Sequence, residues 1–277
     1  MPHTAHTPDS PARLPEDRDN RRWAAAFAVI AAAIVAVALW PWGWDVDVVE
    51  GSHPCWGPCG VDAGETFSQE PGDVWRVDIG SVGTATLSRG ARLTRADVEE
   101  GVTVRLDAGR MVVESTARGR ELVIETPAGK VVDLGCAFTV EASETETRVH
   151  VERGYVALET VRGTTVVGAG SAAVAQLGEL PALPLRDDAP ATFREGAARF
   201  PQGELAPLLT AARPADTFTL WHALQRADPE DRAAILSALE RLVPGSVPAD
   251  HTRLESLRLG ALQSLWAALA PAAYREE

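Results

Sequence analysis

The sequence predicts a mainly β body, a sandwich or roll of short antiparallel strands, preceded by one transmembrane helix and followed by a small α-helical bundle. Three observations carry this prediction: an uncharged apolar run of 18 residues from Trp23 to Trp40, short Val- and Thr-rich alternating segments between Asp73 and Leu180, and leucines at helical spacing from Leu205 onward. Each element follows from its own local chemistry.

Residues 1–22 mix prolines, threonines and charges without apolar periodicity, the composition of a disordered tail. The run that follows, extended without charge through Pro41-Trp-Gly-Trp44, suits a span over 23–44, since about 20 residues of helix cross a bilayer core. Arg13, Arg18, Arg21 and Arg22 precede it, and the next basic residue is Arg76. That asymmetry predicts a single pass with the N-terminus in the cytoplasm, at the inner (cytoplasmic) membrane, and the body in the periplasm or extracytoplasmic space. Trp23, Trp40, Trp42 and Trp44 sit where aromatic rings favour the headgroup layer. The alternatives are a buried core helix, which is rarely this long and uncharged, and a signal peptide cut after Ala36-Val-Ala38, which also exports the body.

From Asp45 to Gly72 the chain is rich in glycine, proline and acids and reads as a juxtamembrane linker. It contains His53-Pro-Cys-Trp-Gly-Pro-Cys-Gly60, in which Cys55 and Cys59 are close enough for a local disulfide in an oxidising compartment. Free thiols, or a metal or redox pair with His53, are the alternatives; the set is short of a closed tetrahedral site.

Strands are predicted at 74–79, 102–106, 110–114, 121–125, 147–152, 155–159 and 164–167, each alternating in polarity and punctuated by glycines such as Gly80, Gly90, Gly101, Gly109, Gly119 and Gly154. Strands this short and this regularly spaced imply a sandwich, roll or barrel over 73–180. A Pro-rich linker is expected over 181–200 and a helical domain over 201–277. There Pro214 ends a first helix, Phe218, Trp221 and Leu224 continue on a second, Asp228-Pro229 starts a third, and Thr252-Arg-Leu-Glu255 reads as a capping box for a fourth.

Charge and motifs narrow the function. A net charge of −13, with Lys130 the one lysine and no arginine cluster, argues against a nucleic-acid partner. No nucleophile elbow, phosphate loop or zinc signature appears, so no catalytic, cofactor or metal residue is assigned and no enzyme is expected. His150 alternates with Val149 and Val151 and should face solvent; His222 reads as structural; Asp78 and Asp133, each two residues before a glycine, read as turn caps; Cys136 reads as an inert buried thiol.

The densest stretch is Glu125-Thr-Pro-Ala-Gly-Lys-Val-Val-Asp-Leu-Gly-Cys-Ala-Phe-Thr-Val140, followed by Val149-His-Val-Glu-Arg-Gly-Tyr-Val156. With Val77-Asp-Ile-Gly-Ser-Val82 and Leu106-Asp-Ala-Gly-Arg-Met-Val-Val113 upstream, this succession resembles the FecR domain, the extracytoplasmic part of FecR-type anti-sigma regulators. The resemblance covers about 100 residues and rests on Gly80, Gly109, Thr126, Pro127, Leu134, Gly135, Cys136, Phe138 and Gly154 as structural motif positions. Cys136 stands where the family usually carries threonine. The resemblance implies a non-enzymatic envelope signalling module of anti-sigma type. Two departures weaken sigma-factor capture: a cytoplasmic tail of 22 residues and helices in place of the usual C-terminal end. The competing expectation is a scaffold that binds an envelope protein or polysaccharide.

Overall fold

The computed structural model describes residues 44–50, 59–61, 64–68, 70–96, 101–116 and 119–273. The tail 1–22 and the expected span up to residue 43 lie outside them. So does the Cys55–Cys59 pairing: Cys59 begins a strand, but its side chain and Cys55 are not among the described groups. Among the described residues no helix is long and apolar enough to cross a membrane.

Fourteen strands are described: β1 (Trp44–Glu50), β2 (Cys59–Val61), β3 (Thr66–Ser68), β4 (Val74–Asp78), β5 (Gly83–Arg95), β6 (Val102–Ser115), β7 (Leu122–Thr126), β8 (Gly129–Asp133), β9 (Ala137–Ala142), β10 (Glu146–Arg153), β11 (Tyr155–Thr160), β12 (Gly163–Gly168), β13 (Ser171–Gln176) and β14 (Leu185–Arg186). All seven predicted strands fall on observed ones. The expected linker over 45–72 instead holds β1, β2 and β3. Valines alternate with acids in Trp44-Asp-Val-Asp-Val-Val-Glu50, and this period of two lets β1 pair with β4.

The long β6 organises the sheet. It pairs with β5 along its length; then its first half, Val102–Arg105, runs parallel to β7, and its second half, Gly109–Glu114, runs antiparallel to β9. The sheet therefore forks into two leaves, β7-β8-β11-β12 and β9-β10-β13-β14. Ile124, Val131, Val156, Leu158 and Val167 of one leaf share a single core with Phe138, Val140, Val149, Val151 and Ala175 of the other. Alternation within each half of β6 makes this core: Val104 and Leu106 are buried around exposed Arg105, and after a shift of phase near Gly109, Met111 and Val113 are buried. The mainly β prediction thus holds, but the strands form one curled, forked sheet rather than two separate ones, with β6–β7 its one parallel pair among the described strands.

Among the described residues six α-helices follow: α1 (Ala191–Arg199), α2 (Leu205–Ala211), α3 (Thr217–Arg226), α4 (Pro229–Leu242), α5 (Thr252–Glu255) and α6 (Leu259–Ala273). The expected linker over 181–200 contains β14 and α1, because Leu183, Ala189 and Phe193 join the helical core. The expected capping box does not start a long helix. Thr252–Glu255 is a single turn, Leu257 adopts φ +52°, and α6 begins only at Leu259. Leu220, Leu224, Leu236, Leu239, Leu265 and Leu269 fill the space between the helices.

Polar bonds fasten helices to sheet. Arg226 donates from Nη1 to the Pro181 carbonyl at 2.7 Å and from Nη2 to the Thr165 hydroxyl on β12. The Thr219 hydroxyl donates to the Pro184 carbonyl at 2.6 Å, and Arg186 of β14 donates to the Ala273 carbonyl at 2.9 Å. Arg213 bridges Asp216 at 2.8 Å and Asp188 at 3.3 Å, linking the start of α3 to the segment before α1.

Candidate binding cleft at the folded corner of the sheet

The chain crosses between the two leaves at corners, and two of these meet. It passes from β8 to β9 through Leu134-Gly-Cys136, and from β10 to β11 through Gly154 alone. Gly154 has φ +81°, and a Cβ there would lie 2.5 Å from the Gly135 oxygen, so only glycine lets the corners touch. Asp133 holds the first corner. Its Oδ1 accepts from the Gly135 N–H at 2.9 Å and from the Cys136 thiol at 2.6 Å. Asp78 does the same for Gly80 after β4, at 2.9 Å. Both acids are turn caps, as their positions before a glycine predict.

The other motif residues lie apart from this corner. Gly109 sits where β6 forks, Phe138 is fully buried in the core, and Thr126-Pro127 makes the β7–β8 turn. The Thr126 hydroxyl donates to the Gly129 carbonyl at 2.7 Å and meets the Thr147 hydroxyl of the other leaf at 2.6 Å. His150 pairs at the surface with Asp187 at 2.8 Å. Cys136 is 1 % exposed, and burial first, then its bond to Asp133, pushes its thiol well above the ordinary range. The burial agrees with the expected buried thiol. Among the described residues no group of three His, Cys, Asp or Glu side chains could hold a metal ion.

Against the folded corner, α3 and α6 leave a cleft of about 380 Å³. Leu134, Tyr155 and Val166 line it from the sheet, and Phe218, Trp221, Leu262 and Trp266 from the helices. Gln225, Gln263 and Leu259 complete it, and no charged residue belongs to the lining. The aromatic groups form one cluster. Phe218 is buried, with its ring centroid 4.4 Å from Trp266 and 6.0 Å from Trp221, while the two indoles stand 5.6 Å apart at 51°. Tyr155 meets Trp266 edge to face at 6.4 Å. Phe218 is thus the base, and Trp221, Trp266 and Tyr155 stay partly exposed.

Beside this cluster, His222 is 4 % exposed and packs against both Phe218 and Trp221. Burial, and then the nearby Arg226 charge, lower it to about 3, opposed by a backbone hydrogen bond to Val166. It is therefore neutral at working pH. Burial also lowers Arg226, to about 10, which leaves it charged. The Trp221 indole N–H donates to the Leu262 carbonyl at 3.1 Å, tying α3 to α6 across the cleft.

Residues 77–157 match the family described as FecR protein. This stretch forms a FecR domain. It runs from the end of β4 into β11 and includes the forked β6, both corners and Asp133. Leu134 and Tyr155 of the cleft belong to the FecR domain, whereas the helices across from them lie outside the match. No curated protein matches the chain. Solved structures similar to it include two crystal structures of a candidate anti-sigma factor from Parabacteroides distasonis ATCC 8503. One, at 1.65 Å resolution, has 15 % identity and a TM-score of 0.34, covering 52 % of this chain and 63 % of that one. The other, at 2.50 Å, has 16 % identity and a TM-score of 0.39, covering 72 % and 90 %. The chain thus spans 63 % of the first of these.

The aromatic cleft is the feature that sequence reading alone does not locate. Phe218 and Trp221 are legible as one helical face, but their partners Tyr155 and Trp266 lie far off in the chain. The available signal is the stretch Leu259–Ala273, which carries no charged residue on any face, unlike an ordinary surface helix.

Proposed function

We propose that the protein is a single-pass, membrane-anchored envelope regulator, in which the FecR domain and its docked helices bind a ligand outside the membrane and bias a response at it. The observation that carries this reading is the FecR match over 77–157, which supports a regulatory signalling role. The anchor rests on the apolar run 23–40 and the four arginines ahead of it. In this reading the protein does no chemistry: it works by binding one of two states better than the other. In this reading residues 1–22 lie on the cytoplasmic side, where a sigma factor would be met.

A second reading, an anchored scaffold for an envelope protein or polysaccharide, is favoured by one observation: half of the cleft is built by helices outside the FecR match. Deleting residues 1–22 in the native host separates the two. Regulation predicts that a defined set of transcripts changes while the truncated protein still fractionates with the membrane. Unchanged transcripts at normal protein level would leave the scaffold. Added protease tests the topology: the body is digested in spheroplasts of an N-in protein and protected in an N-out one.

A further inference from the structure

We propose that the cleft between the FecR domain and helices α3 and α6 is a binding site for a neutral glycan. This rests on the reading of the cleft as the ligand site of an envelope module, and names the class of ligand.

Charge is the first argument. The lining contains no Asp, Glu, Lys, Arg or His, in a chain that carries 65 Asp, Glu, Lys and Arg side chains, 39 of them acidic and 26 basic. A site for a phosphate, a carboxylate or an amine would present an opposite charge or a row of donors, and this one presents neither. The ligand that complements it is uncharged.

Shape is the second. Trp221 and Trp266, 5.6 Å apart and tilted by 51°, are held from behind by buried Phe218, so two flat apolar surfaces stand ready at little cost in conformational entropy. The apolar C–H faces of a pyranose ring fit such surfaces. The volume, about 380 Å³, lies within the range of small-ligand sites, roughly 300–1,000 Å³.

The polar groups are the third. Beside the indoles stand two carboxamides, each with donor and acceptor side by side, as vicinal hydroxyls require. Gln225 uses its Nε2 to bond the Trp221 carbonyl at 3.0 Å, which fixes the amide and leaves Oε1 as an acceptor. Gln263 is exposed, and no hydrogen bond to its amide is found among the described residues. An acyl chain would have no use for these amides.

The test uses the full-length chain in lipid nanodiscs, which avoids sugar-headed detergents. The probes are tetrasaccharides of neutral glucans and of N-acetylglucosamine, a proline-rich peptide, and a fatty acid, each titrated by calorimetry. We expect at least one neutral tetrasaccharide to bind. Its Kd should change less than about twofold between low and high salt, because no charge pair forms. Trp266→Ala should weaken it about tenfold or more, as for a central aromatic anchor. Gln263→Ala, an exposed change that spares folding, should weaken it several-fold with Tm unchanged. Binding of no tetrasaccharide, or binding unaffected by both substitutions, would overturn the proposal. Peptide or fatty-acid binding that the two substitutions abolish would overturn the glycan while keeping the cleft as the ligand site. An unaltered transcript profile after deletion of residues 1–22 would overturn regulation and leave glycan binding standing.

Discussion

The Cys136 thiol donates to Asp133 Oδ1 at 2.6 Å, on the same oxygen that caps the Gly135 N–H at 2.9 Å. Asp133 is fully buried and its Oδ2 has no partner among the described residues, so the corner depends on what Oδ1 receives. A threonine hydroxyl can donate the same bond to Oδ1. We expect Cys136→Thr to keep or raise the unfolding midpoint in urea, and Cys136→Val to cost about 1–3 kcal/mol by removing the donor. Alkylation at pH 8 should label Cys136 only in denaturant, because burial holds its proton.

Arg226 is the fastening between helices and sheet. Arg226→Met keeps the buried stem and removes the bonds to Pro181 and Thr165, a loss of about 1.5–3 kcal/mol for a charged donor. Hydrogen exchange should accelerate at 163–184 and along α3, with β4–β6 still protected. Uniform acceleration would show instead that sheet and helices open together.

His222 sets a pH dependence. Its folded value, about 3, lies below the ordinary 6.5, so between those limits the unfolded chain binds the proton and the folded chain does not. The stability tied to its neutral form is complete above about pH 6.5 and is lost as pH falls toward 3. On acidification from pH 7 to 4 the parent should therefore lose stability relative to His222→Phe, and the two curves should run parallel if His222 is not the proton acceptor.

Gly109 permits the fork of β6. It has φ +96°, and a Cβ there would lie 2.4 Å from the Ala91 Cα on β5. Gly109→Ala forces backbone to move and should cost more than about 3 kcal/mol, in the range of severe single substitutions. Gly178→Ala, with φ +78° but open space, should cost only about 1–2 kcal/mol by thermal unfolding.

Local pattern carries much of this protein. Alternation at Val74–Asp78, Val102–Leu106 and Glu146–Arg153 is enough to mark strands, since one face must be apolar and the other wet. The run from Thr126 to Phe138 is enough to mark the FecR domain, because a turn, a corner and a core residue recur there at set spacing. Strand β5 escapes that reading: Ser88-Arg-Gly90 interrupts its period with a bulge whose purpose lies in its partner β6. Acids in β1 hide a strand that gains its place by pairing with β4. The fork of the sheet, the contact of the two corners and the cleft depend on tertiary structure alone. Tyr155, Trp221 and Trp266 share no local period, and each is by itself an ordinary half-buried aromatic. They become one surface where Gly154 lets the corners touch, Arg226 bonds Thr165 of β12 and the Trp221 indole bonds the Leu262 carbonyl. Sequence determines which faces are apolar; packing decides which of them stay open to a ligand.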